Sequence, residues 1–241
     1  MADPTIVRAV GDSGEVVELV DVVDGAWGQH LAPLQEMLAE FFPDEPYAID
    51  LARRDAVRPA ERTGMVVHQF VVLVDGVPAG ISVYHSNLVR GVSAPHFGAV
   101  RPEYRRVIVD GHRLGGWLSY EQLRRLGIDA GALRLGAVGE ATADNALAWA
   151  RLGWRILPVD TYAMPVHGWE WPTQGLEMRP MKLVWLPPIG ATADEIVDME
   201  PRALAAGAAA FLLDTYGLPT DHEMVRALVG EQALRPGPSR D

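Results

Sequence analysis

The segment from His96 to Leu118 constrains the fold more than any other part of the chain. A β-like run, His96-Phe97-Gly98-Ala99-Val100, breaks at Arg101-Pro102-Glu103-Tyr104-Arg105-Arg106, where proline has no amide hydrogen to give to a sheet ladder. Gly111-His112-Arg113-Leu114-Gly115-Gly116-Trp117-Leu118 then opens a helix. An arginine- and glycine-rich turn at a helix start offers backbone N–H groups and the positive end of the helix dipole to an anion. Further on, Leu135-Gly136-Ala137-Val138 followed by Asn145-Ala146-Leu147-Ala148-Trp149-Ala150-Arg151-Leu152-Gly153-Trp154 repeats the order strand, then short helix.

The flanking residues extend this alternation. Ile6 to Val23 reads as a strand pair with Gly11-Asp12-Ser13-Gly14 as its turn. That tetrapeptide also surrounds the nucleophile of trypsin-like proteases, but no matching histidine and aspartate context accompanies it here. Trp27, Leu31, Leu34, Leu38 and Phe41 recur at helical spacing between Ala26 and Phe42. Val66 to Val74 and Val77 to Tyr84, joined by Asp75-Gly76, form a predicted hairpin, and a third strand is expected at Ser93 to Val100. A helix follows from Gly111 or His112 to Leu126, packed through Leu114, Leu118 and Leu123. Then come a strand at Arg134 to Val138, a helix at Asp144 to Leu152, a strand at Trp154 to Tyr162 and a last strand at Lys182 to Leu186. Beyond Pro188, Ala203 to Tyr216 is a predicted helix with Pro201 near its first turn. Thr220-Asp221-His222-Glu223 has capping-box spacing before a second helix, Met224 to Val229.

Of the 241 residues 49% are apolar, so the chain can bury a sizeable core and suits one domain with an appendage. Cysteine is absent, which removes disulfides, thiolate metal sites and a cysteine acyl-enzyme. HExxH, CxxC, Walker and dinucleotide motifs are absent too, so no metal is expected. The opening Met-Ala-Asp-Pro lacks signal-peptide character. The longest apolar run, Ala203 to Leu213, falls short of the ~20 residues a membrane span needs. These features predict a soluble cytoplasmic protein without membrane contact. A net charge of −11 argues against nucleic acid as a partner. Between Arg101 and Arg125, however, six arginines face three acids, a concentration that can steer an anionic partner or simply form a solvated helix face.

Ala99-Val100-Arg101-Pro102-Glu103-Tyr104-Arg105 resembles the V-x-P-x-Y-R turn of the GNAT acyltransferase superfamily, and Arg151-Leu152-Gly153-Trp154 resembles its x-L-G-F/W unit. With flanking strands the resemblance covers roughly residues 65 to 165. It implies an α/β (α+β) fold with a single mixed central sheet flanked by helices. The acyltransferase domain would occupy residues 1–188, with a C-terminal helical extension at 189–234 and a disordered tail at 235–241. The resemblance further implies that backbone groups near Ala99 and Val100 meet the pantetheine and the oxyanion. Arg101, Arg105, Arg106, Gly111, Arg113, Gly115 and Gly116 would meet the phosphates of acetyl-CoA or another acyl-CoA. One feature departs from the family pattern: Val107-Ile108-Val109-Asp110 intervenes where a compact Q/R-x-x-G-x-G/A loop normally follows the Tyr-Arg. A pocket remodelled by that insertion could instead take the phosphopantetheine-linked acyl group of an acyl carrier protein, whose acidic surface the arginines would meet.

Acyl transfer from a thioester to an amine needs a base, because an ammonium near pKa ~10.4 must lose its proton, whereas a thiol near ~8.5 leaves readily. His96 is the first candidate, through its near-neutral imidazole and because family members carry a histidine at this offset; otherwise it is a histidine packed in a strand. Glu140, just past the Leu135 to Val138 strand, is the second, or else a surface loop acid. Tyr84 and His85 could line the acceptor side or form a solvated strand end. Where many family members place a thiolate-protonating tyrosine this chain has Trp149, which is grouped with the substrate-facing residues, and Tyr162 could supply the hydroxyl. Trp169 and Trp171 could line an acceptor pocket or pack a core or dimer contact. The leading expectation is an N-acyltransferase acting on a small-molecule amine with His96 as base. The alternative is a non-catalytic acyl-thioester-binding module. The C-terminal helices could pack on the sheet, cover the acceptor site or mediate a homodimer.

Overall fold

A computed structural model describes residues 5–23, 27–45, 48–50, 52–53, 64–131, 134–165 and 178–230. Trp169, Trp171 and the tail expected at 235–241 lie outside the described residues. The chain divides into two units, Met1–His85 with Pro95–Glu121 and Ser86–Ala94 with Gln122–Asp241. None of the described helices is long and apolar enough to cross a membrane.

In the first unit β1 (Thr5–Val10) and β2 (Val16–Asp21) pair antiparallel. The Gly14 N–H donates to the Gly11 carbonyl at 2.9 Å, so Gly11-Asp12-Ser13-Gly14 is the turn its position predicted. The amphipathic helix α1 (Trp27–Phe41) buries Leu34, Met37 and Leu38. β3 (Met65–Val74) and β4 (Val77–Asn87) flank Asp75-Gly76, both at positive φ (49° and 77°), as a tight two-residue hairpin requires. β5 (Val92–Val100) follows and gives way at Pro102 to a 3₁₀ turn, Pro102–Tyr104.

The helix expected from Gly111 or His112 begins at Leu114. The preceding residues form a small hairpin, β6 (Ile108–Val109) and β7 (His112–Arg113), turning on Asp110-Gly111 with φ of 51° and 76°. The Leu114 N–H donates to the Val107 carbonyl at 2.9 Å, which places the helix start after the hairpin. Helix α2 (Leu114–Ala130) then buries Leu114, Leu118 and Leu123, the predicted packing residues. The core of the first unit gathers Val17, Leu19, Phe70, Val72, Tyr84, Val109, Leu114 and Trp117.

In the second unit β8 (Gly136–Ala141) pairs in parallel with the first residues of β5, Val92 facing Gly136 and Ser93 facing Ala137. β12 (Lys182–Leu186) lies antiparallel to β8, and β9 (Arg155–Ile156) is antiparallel to β12. One mixed sheet results, of strand order β1-β2-β3-β4-β5-β8-β12-β9, and a two-stranded ribbon of β10 (Ala163–Pro165) and β11 (Met178–Pro180) stands apart from it. The expected strand at 154–162 is reduced to Arg155–Ile156, because Pro158 has no amide hydrogen to extend the ladder. Helix α3 (Ala143–Ala150) is capped by Thr142, whose hydroxyl accepts from the Asn145 N–H at 3.3 Å.

Helix α4 (Ala193–Ala209) starts ten residues before its expected position at Ala203, and Pro201 lies inside it. A capping box sets this start: the Glu195 N–H donates to the Thr192 hydroxyl (3.3 Å), and the Thr192 N–H donates to the Glu195 carboxylate (2.7 Å). The helix continues with π hydrogen bonding over Ala210–Thr215. Helix α5 (Glu223–Leu228) is capped by His222, whose Nδ1 accepts from the Met224 N–H at 3.2 Å, rather than by a box starting at Thr220. Val138, Leu183, Trp185, Ala203, Ala209 and Phe211 share one buried cluster.

Gly207 of α4 leaves no room for a Cβ, which would run into the Val138 side chain of β8. Gly207→Ala is therefore expected to lower stability by about 1–3 kcal/mol through overpacking, read as a lower urea midpoint at unchanged m-value.

Candidate active site

Glu140 lies within β8, which runs three residues past the predicted strand end at Val138, and it faces Leu183 of β12. The alternation of the strand turns it to the same side as Val138, so its carboxyl enters an apolar cluster instead of a surface loop. Two tyrosine hydroxyls meet it there. Tyr162 donates to Oε1 and Tyr216 donates to Oε2, and both rings are buried. Burial raises the Glu140 carboxyl from 4.5 to about 7, against the opposing effect of the two tyrosine hydrogen bonds. Burial, and then the charge of Glu140, push the Tyr162 hydroxyl well above its ordinary value. A carboxyl balanced near neutrality can take up or release a proton at physiological pH.

Tyr216 was not among the sequence candidates. It lies 76 residues from Glu140, on a segment whose pattern signalled only a helix. Trp149 packs edge-on to Trp154, with centroids 4.8 Å apart, in a cluster with Ala146, Val184 and Leu186. It thus fills a wall of the second unit's core.

In the first unit His96 on β5 and His85 on β4 form a pair. His96 Nε2 lies 3.1 Å from His85 Nδ1, and the rings meet edge to face with centroids 4.5 Å apart. One nitrogen must carry the proton and the other accept it, so each imidazole fixes the orientation of its partner. His85 is buried, whereas His96 is partly exposed. Tyr84 is fully buried, stacked on His68 and edge-on to Phe70, and belongs to the core. His68 in turn holds Asp21, with Nδ1 2.9 Å from Oδ2.

The predicted phosphate contacts separate into two groups. Arg101 is tied into its own unit, its guanidinium donating to the Pro78 carbonyl at 3.1 Å and to Glu40 at 3.2 Å. Arg105 donates through Nε to the Val100 carbonyl at 3.0 Å, and Arg106, Gly111 and Arg113 are exposed. Gly115 and Gly116 occupy the first turn of α2. The four inserted residues are not a slack loop, since Val109 is fully buried and Asp110 is exposed. The ladder between β5 and β8 pairs Val92 with Gly136 and Ser93 with Ala137, and Ala99 and Val100 lie at the other end of β5, half-buried. No group of three potential ligand side chains suited to a metal occurs among the described residues.

No family model matches the chain, and no curated protein does. Among solved structures the chain is similar to a protein of Bacteroides thetaiotaomicron described as an acetyltransferase of the GNAT family, with 19% identity over 80% of this chain and 96% of that one and a TM-score of 0.49. It is also similar to an acetyltransferase of Streptococcus agalactiae (14% identity, 70% of this chain, 98% of that one, TM-score 0.42). A third is Mycobacterium smegmatis RimJ in complex with CoA-disulfide (18% identity, 84% of this chain, 94% of that one, TM-score 0.39).

With its carboxyl raised above the unfolded value, Glu140 binds its proton more tightly in the folded chain. Its contribution to stability is complete below the unfolded pKa of 4.5 and is lost as the pH rises through about 7. Urea unfolding at a series of pH values should show a decline of up to about 3 kcal/mol across this window, and Glu140→Gln should flatten it.

Proposed function

We propose that the chain transfers an acyl group from a pantetheine thioester to the amine of a small molecule, with His96 as the general base. The amine nitrogen attacks the thioester carbon and loses a proton to the imidazole. The C–S bond breaks with its electron pair on sulfur, and the thiolate regains that proton from the imidazolium or through solvent to leave as the thiol. The observation that supports this reading is the His85–His96 pair, which holds a partly exposed imidazole in one orientation on β5. The backbone of β5 near Ala99 and Val100 suits the amides of a pantetheine arm, which add to a strand by main-chain hydrogen bonds. Exposed Arg105, Arg106 and Arg113 suit its phosphate or the acidic face of a carrier protein.

A second reading gives the base role to Glu140, favoured by the two tyrosine hydroxyls on its carboxyl. Tyr162 is then the hydroxyl that stands in for the tyrosine missing at Trp149.

A thiol-release assay with acetyl-CoA, and in parallel with acetyl-loaded acyl carrier protein, tests these readings over a panel of small amines. Amine-dependent release that drops by about 10²–10⁴-fold in His96→Ala is the expected result. A comparable loss in Glu140→Gln, with His96→Ala within about twofold of wild type, transfers the base role to Glu140. Thermal stabilisation by acyl-CoA without release from either donor makes the chain a binding module instead.

A further inference from the structure

The two hydroxyls on Glu140 arrive by different routes. Tyr162 precedes β10, in the connection that leads out of β9. Tyr216 arrives from the far end of the C-terminal helices, where the hydrogen bonding widens: the Tyr216 N–H donates to the Phe211 carbonyl at 2.7 Å, and the Leu218 N–H donates to the Leu212 carbonyl at 2.8 Å. This π segment is anchored by Asp214, whose carboxylate accepts from Asn87 Nδ2 at 2.8 Å and from Arg90 Nε at 3.0 Å. Asn87 also accepts the Arg90 N–H at 3.0 Å, which ties the two donors into one turn between β4 and β5. Asp214 and Tyr216 stand two residues apart, so one anchor fixes the segment just before the hydroxyl that reaches Glu140. Widened turns of this kind occur frequently at functional sites.

We infer that Tyr216 is a positioning residue for the Glu140 carboxyl, the acid–base group of the second reading, which it holds from the C-terminal helical segment. The inference rests on the acyl-transfer reading only for the use to which the Glu140 proton is put. A hydroxyl that donates to a carboxylate favours its ionised form. Without Tyr216, Oε2 would remain in an apolar cluster lacking its donor, and the protonated form would gain. Among the described residues, the charged side chains nearby are engaged elsewhere or exposed. On β12, Lys182 is taken by Asp160 (3.1 Å), and on α4 Glu200 is taken by Arg155 of β9 (3.1 Å). Asp194, Glu195, Asp198 and Arg202 of α4 and Glu223 and Arg226 of α5 are exposed, and Asp214 is held by Arg90. Leu183 and Trp185 of β12 and Ala203 and Ala206 of α4 complete the apolar cluster.

The test is the ionisation of Glu140 itself, followed by carbon NMR of protein labelled at the glutamate side-chain carboxyls, with Glu140→Gln to assign the signal. In wild type the midpoint should lie near 7. Tyr216→Phe should move it upward by about one unit, the size of one hydrogen bond to a charged group. Replacing Tyr216 by 3-fluorotyrosine, which keeps the shape and is a stronger donor, should move it downward, and this variant decides the matter if Tyr216→Phe does not fold. A midpoint that stays put in the folded variants overturns the inference and leaves acyl transfer untouched. A midpoint that moves in both directions supports it even if no thiol is released from any donor, a result that would count only against the acyl-transfer reading. Where release is observed and is lost in Glu140→Gln, the pH dependence of kcat should follow the same displacement in Tyr216→Phe, which a merely structural role would not produce.

Discussion

A carboxyl group taken out of water must either find donors or surrender its charge, and Glu140 does part of each. Two tyrosines supply donors, while burial holds the group close to neutrality. Much of the second unit is arranged around meeting that demand. Gly207 lets α4 close onto β8, the π segment carries the chain to Tyr216, and Asp214 secures it through Asn87 and Arg90. The exposed first turn of α4, with its capping box, lies at the outer end of the same construction.

The first unit answers a different constraint. Where a compact loop could have presented glycines directly to an anion, the chain folds back as a hairpin and buries Val109 beside Leu114 and Trp117. The Asp12 N–H of the first turn donates to the Ile108 carbonyl at 2.9 Å, which joins this hairpin to β1 and β2. Arg101 is committed to Pro78 and Glu40, whereas Arg105, Arg106 and Arg113, beyond the 3₁₀ turn, are exposed. The arginine cluster legible in the sequence therefore serves both architecture and surface charge.

What the sequence disclosed follows from the range of the forces involved. The Asp75-Gly76 turn, the alternating runs around it and the Lys182 to Leu186 strand were legible because their signals are local. The start of α2 was misplaced because Gly111 and His112 suit a hairpin as well as a helix start, and only the burial of Val109 decides between them. The start of α4 was missed because Ala193 to Glu200 is half charged and mostly solvent-facing, with a weak apolar repeat. His96 and His85 were identified as candidates, but their pairing depends on strand register. Glu140 and Tyr162 were named separately, and Tyr216 was not named, because a contact across 76 residues leaves no periodic trace.

The π-helical stretch before Tyr216 carries a consequence for how this chain can vary. Such a turn holds one residue more than an α-helical turn, and losing that residue would rewind the segment and rotate everything after it by ~100°. Along Ala210–Thr215 the buried side chains and Asp214 are held by their contacts, and the number of residues is held by the bearing of the tyrosine. Relatives that retain the tyrosine–carboxyl contact should therefore conserve the length of this helix as strictly as its buried face.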